Sequence, residues 1–227
     1  MRQTGAEPVL PTHNMFNRTQ LALDDAAEWL GDCHPLAEQL GCADGLLALA
    51  NVTAELRLAP VHNLPSLRHF LRHYQSQILL PLELPAIHRA YVWAAGRKAR
   101  ELIALDRQIA GEPVLRPFAA ASRRVGRSQL QKLRPLRDER IVQRYLQSVE
   151  AGHAYGWHTV VYGLTLAVYS LPLRQGLLRN AHQTTRGFIG SAARGLRLSR
   201  EQNRDLHEGL CAELTRAVEG LLSQQAA

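Results

Sequence analysis

Apolar residues recur three and four positions apart through most of this chain, and strict alternation over strand-length windows is absent, so the pattern predicts helices throughout. A first helix is expected from Thr19 to Gly31, with Asp24 and Asp25 near its positive end. One or two short helices follow within 34–58, punctuated by Gly41 and Gly45. Leu67, Leu71, Tyr74 and Ile78 form one stripe on a helix from Leu64 to Leu80, which Pro81 and Pro85 are expected to break. A single helix is expected from Ala86 to Ala110, buried through Ile87, Tyr91, Ala94, Leu102, Leu105 and Ile109 and stopped by Gly111 and Pro113. Further helices are expected at Pro117 to Leu133, Asp138 to Gln147, Trp157 to Tyr169 and Pro172 to Leu196, with Gly152 and Gly156 forming a joint. Ser199-Arg200-Glu201-Gln202 has the form of a capping box. Beyond it Leu206, Leu210, Leu214, Val218 and Leu221 continue one stripe. The expected fold is an all-α, single-domain helical bundle of roughly eight to ten helices over residues 18–227, preceded by a disordered or loosely attached arm, 1–17.

A chain of 227 residues that is 46% hydrophobic can bury a real core. Its longest weakly polar run, Val160 to Leu173, contains Gly163 and Pro172 and falls short of the ~20 residues a bilayer span needs. Met1 to Asn17 has no apolar h-region, so no secretory signal is expected. Cys33, Cys42 and Cys211 are odd in number and lack a CxxC, which fits a reducing cytoplasm better than a disulfide framework. The net charge of +7 is carried by arginine, since Lys98 and Lys132 are the only lysines, and suits encounter with acidic surfaces.

The chemistry-bearing residues point away from catalysis. There is no GxxxxGK[ST], and Gly96-Arg97-Lys98 lies inside a helical pattern without a preceding strand, so no nucleotide site is expected. His69 and His73 stand four apart on one helix, a spacing compatible with a shared metal, but Phe70-Leu71-Arg72 between them lacks the glutamate of a metalloprotease. Cys33 and His34, beside Asp32, make a second weak candidate for a transient metal contact. His153, His158 and His182 lie on separate elements, where packing or capping is expected, and Cys211 reads as a small core residue. The stretch from Arg116 to Arg144, including Arg123 and Arg127, is strongly basic but lacks interleaved aromatics and any groove-entering motif. It reads as a solvated helix face or a docking surface for an acidic partner. Non-specific binding of nucleic acid or another anionic partner is the alternative, and would be strongly salt-dependent.

A series of short motifs resembles the urease accessory protein UreF family over about residues 64–222. Leu64-Pro65-Ser66-Leu67 and Phe70-Leu71 are similar to the family's helix before a Leu-Pro junction, here Leu80-Pro81-Leu82-Glu83-Leu84-Pro85. Glu101 to Asp106 resembles its leucine-aspartate helix end, and Ala121-Ser122-Arg123-Arg124-Val125-Gly126-Arg127 its AS-x-x-x-G-R helix. His158 to Gly163 stands where the family carries His-x-x-x-(Phe/Tyr)-Gly, and Pro172-Leu173 and Ser191-Ala192-Ala193 follow in register. The N-terminal signature is altered at Trp29 to Pro35, and Leu198-Ser199-Arg200-Glu201 replaces a Pro-Leu-Gly-Gln turn.

The resemblance implies an all-helical, non-enzymatic co-chaperone, dimeric, that bridges a UreD/UreH-type accessory protein and the GTPase UreG and assists nickel insertion into apo-urease. It implies no tightly bound cofactor, transient nickel at most. Arg179 stands where the family has an arginine linked to partner assembly, and Gln183 where it has a tyrosine. Arg123, Arg127 and Arg194 complete the expected partner-binding set. With Leu173, Leu177, Ala181 and Thr184 facing inward, Arg179 is expected to point outward.

Overall fold

Every regular element between Gly45 and Ala226 is helical in the computed structural model, which describes residues 45–226. Helix α1 spans Gly45–Glu55, α2 Leu64–Tyr74, α3 Leu84–Ala95, α4 Ala99–Ala110, α5 Ala119–Lys132, α6 Arg140–Glu150, α7 His158–Val168, α8 Leu173–Ala193 and α9 Arg200–Ala226. The expected arm, the expected helix from Thr19 to Gly31, and Cys33 and His34 lie outside the described residues.

Most predicted stripes fold inward. Leu67, Leu71, Tyr74 and Ile78 are buried, as are Leu206, Leu210, Leu214 and Val218 of α9. The capping box forms reciprocally: the Gln202 amide N–H donates to the Ser199 hydroxyl at 3.1 Å, and the Ser199 N–H to the Gln202 side chain at 2.9 Å. Phe70, Tyr74, Phe118 and Phe188 meet edge to face, which ties α2 to α8 and to the turn before α5.

Two boundaries differ from expectation. Pro81 does not break the chain, because residues 75–83 widen into a π-helical segment joining α2 to α3 without leaving helical backbone angles. Wider winding relocates the bond that Pro81 cannot make, and the Leu84 N–H reaches back to the Leu79 carbonyl. It also carries Glu83 inward, where its carboxylate accepts the Tyr74 hydroxyl at 2.7 Å. Conversely, the single helix expected from Ala86 to Ala110 is two. The chain turns at Gly96 and Arg97, with Arg97 at φ 57°, and the Lys98 N–H closes onto the Trp93 carbonyl.

Helix α7 is central, with His158 through Leu166 all buried, as a helix apolar on every side must be. Gly163 lets α3 approach it: a Cβ there would come 2.7 Å from that of Ala90. The Tyr162 hydroxyl donates to the Gly176 carbonyl at 3.0 Å and pins α8 on another flank. Helices α8 and α9 then pack against each other as an antiparallel pair.

Candidate functional site

The motif pieces around Asp106, Ser122 and Gly126 converge on the loop before α7. Asp106, fully buried near the end of α4, accepts four hydrogen bonds. They come from the Tyr145 hydroxyl at 2.9 Å, the Trp157 N–H at 2.7 Å, the Gly156 N–H at 3.3 Å and the Tyr155 N–H. One carboxylate thereby fixes a turn whose glycines, Gly152 and Gly156, adopt φ 75° and 72°. Ser122 on α5 accepts the His158 N–H at 3.1 Å, one of the free donors at the start of α7. Gly126 leaves room for the loop backbone, since a Cβ would sit 2.8 Å from the His158 nitrogen and closer still to the Gly156 carbonyl oxygen.

The result is a braced surface knuckle. Tyr155, 41% exposed, sits at its tip. The Arg127 guanidinium donates to the Tyr155 carbonyl at 3.0 Å, and that of Arg123 lies 5.9 Å from the Tyr155 ring centroid. Arg107 holds the other end by donating to the His153 carbonyl at 2.6 Å. Two arginines expected on the partner-binding face therefore flank an exposed aromatic that the sequence reading did not single out. Beneath it, burial holds the His158 imidazole down to about 4.

The remaining predicted residues are scattered. Arg194 is exposed at the end of α8. Arg179 and Gln183 are half-buried, so Arg179 does not simply point outward. Leu177, Ala181 and Thr184 are buried and Leu173 is half-buried, and the Arg179 charge bears on the buried Tyr162. Burial raises the Tyr162 hydroxyl, and the Arg179 charge partly opposes it. His69 is exposed and His73 half-buried, and the structure gathers no further ligand beside them among the described residues.

The structure does gather His182, His207 and Cys211, whose ligand atoms all lie within 4.8 Å of one another. His207 and Cys211 are one turn apart on α9, and the helical pairing with α8 brings His182 to them. Cys211 is a core residue, as expected, and the grouping sets it beside two imidazoles that the sequence places on different helices. The legible signal was the His207-x-x-x-Cys211 spacing; the third member depends on how α8 meets α9.

An all-helical scaffold with a braced, arginine-flanked surface loop is the class of protein that these features define. Residues 61–205, well over half of the chain, match the family model UreF, and the chain belongs to the UreF family of urease accessory proteins. No curated protein matches the chain.

Proposed function

We propose that the chain serves urease maturation by bridging a UreD/UreH-type accessory protein to a UreG-type GTPase, with nickel as the cargo delivered to apo-urease. The observation that carries this reading, beside family membership, is the Tyr155 knuckle. A rigidly held, partly exposed tyrosine between two arginines has the composition of a protein-binding hot spot, and its ordering cost has already been met by Asp106. Coupling to the GTPase requires only that this surface bind one nucleotide state better than the other. A homodimer, cytoplasmic location and a non-enzymatic role belong to the same reading. Among the described residues no helix is long and apolar enough to cross a membrane.

Arg179 contributes a fixed charge at the edge of α8, and Gln183, one turn on, supplies no aromatic anchor. Arg179→Ala is expected to weaken co-purification with the cognate accessory proteins, and Tyr155→Ala to weaken it further, with circular dichroism unchanged. Undiminished capture by both folded variants refutes this surface assignment. Submicromolar binding of oligonucleotides at physiological salt would instead favour the non-specific anionic reading.

A further inference from the structure

The grouping of His182, His207 and Cys211 is not part of the knuckle, and its geometry exceeds what a hydrogen bond explains. The Cys211 sulfur lies 3.4 Å from His207 Nε2, which a thiol–imidazole hydrogen bond accounts for. His182 is not accounted for. Its Nε2 is buried without a hydrogen-bond partner among the described residues, although its ring stands 5.9 Å from that of His207 and nearly perpendicular to it. A buried ring nitrogen in that state calls for an explanation. One turn before His207 on the same face of α9, the Asn203 side-chain oxygen is likewise buried without a partner. Asn203 and His207 both line an open cleft of about 360 Å³, completed by Arg186, Ile189, Gly190 and Arg204.

We infer that His182, His207 and Cys211 form a three-ligand site for an exchangeable divalent first-row transition ion, its open position facing this cleft. Two imidazoles and a sulfur suit nickel, cobalt or zinc, and not magnesium or calcium, which demand oxygen. A tetrahedral ion with bonds of about 2.0–2.3 Å holds its ligand atoms roughly 3.3–3.7 Å apart. The Cys211–His207 separation of 3.4 Å already meets this. The widest separation in the group, at most 4.8 Å, closes by about 1 Å through side-chain rotation alone. Three protein ligands with an accessible fourth position is the arrangement of sites that exchange or act, whereas structural sites are closed. Arg186 and Arg204 line the cleft and disfavour a bare cation, but their donors favour an anionic fourth ligand such as hydroxide or a partner's carboxylate.

A nucleophilic Cys211–His207 pair is the competing chemistry. It fails on access, because Cys211 is buried and does not line the cleft, so a substrate cannot reach its sulfur, whereas a small ion held by the imidazoles displaces the thiol proton as it binds. The metal site stands on its own geometry and goes beyond the bridging role proposed above.

The test uses the untagged full chain carrying Cys33→Ala and Cys42→Ala, so that Cys211 is the one remaining thiol. Cobalt(II) titration is expected to saturate at one equivalent with a thiolate-to-metal charge-transfer band, and magnesium to leave the spectrum unchanged. Cys211→Ser should abolish the band, and His182→Gln or His207→Gln should each weaken affinity roughly tenfold or more. X-ray absorption on the zinc- or nickel-loaded chain, which needs no ligand variant, should show one sulfur and two imidazole nitrogens. No saturable binding, a first shell without sulfur, or affinity unmoved by both histidine variants overturns the site. Urease activation is a separate readout, so loss of the bridging role with cobalt binding intact would overturn that reading and leave the site standing.

Discussion

Asp106→Asn is the substitution whose cost follows most directly from the geometry. Both oxygens of Asp106 accept, one from Tyr145 and Trp157 and the other from Tyr155 and Gly156. The amide is nearly isosteric but keeps only one oxygen. If that oxygen stays with Tyr145 and Trp157, the new NH₂ faces the N–H groups of Tyr155 and Gly156, donor against donor. Each backbone donor left without an acceptor costs about 1–3 kcal/mol. Because Tyr155 is near solvent and water can serve part of that need, the total falls at about 2–4 kcal/mol. For a chain of this size that corresponds to roughly 5–15 °C in Tm. Urea unfolding followed by far-UV circular dichroism gives the stability change, and hydrogen exchange gives its location. The Tyr155 and Gly156 amides should lose protection while those inside α7 keep it. A variant within about 0.5 kcal/mol of the parent, or unchanged protection at those amides, refutes the role assigned to Asp106.

Gly126→Ala should destabilise the protein by about 1–3 kcal/mol in the same unfolding assay, because the new Cβ meets loop backbone that Asp106 prevents from moving aside. Burial pushes the Glu83 carboxyl up to about 7, against the opposing hydrogen bond from Tyr74. The folded state therefore holds this proton more tightly than the unfolded state does. The resulting stability is complete below about 4.5 and is lost as the pH rises through about 7. Relative to Glu83→Gln, the parent should weaken by up to roughly 3 kcal/mol between pH 5 and pH 8, measured by parallel urea titrations. His158 works in the opposite sense: held down to about 4, it contributes stability that is lost as the pH falls from about 6.5 toward 4, so His158→Gln should flatten the acid limb.

The helical stripes were readable because burial on one face leaves a 3.6-residue period, as at Leu67, Leu71, Tyr74 and Ile78. The Ser199 cap was readable because its partners are three residues apart. Passage through Pro81 was not, since π-helical widening depends on tertiary packing that buries Glu83 against Tyr74. The break at Arg97 was hidden by apolar spacing that continues in phase on both sides of it. Of the candidate site, Arg123 and Arg127 were found through a motif whose physical purpose, bracing Tyr155, appears only when α4, α5 and the loop before α7 are brought together. Asp106 reads from sequence as part of a helix end, and only the folded chain shows it as the centre of that brace. His182 stands alone in the sequence because its companions lie 25 and 29 residues further on, across the turn between α8 and α9.

The role proposed for this helical scaffold is to assist urease maturation through protein contacts. The most direct measurement is activation of cognate apo-urease by UreD/UreH-type and UreG-type partners, nickel and GTP, with and without this chain. Parent protein should raise the activated fraction severalfold, and the folded double variant Arg179→Ala/Tyr155→Ala should lose most of that gain. Equal activation with and without the chain contradicts the claim.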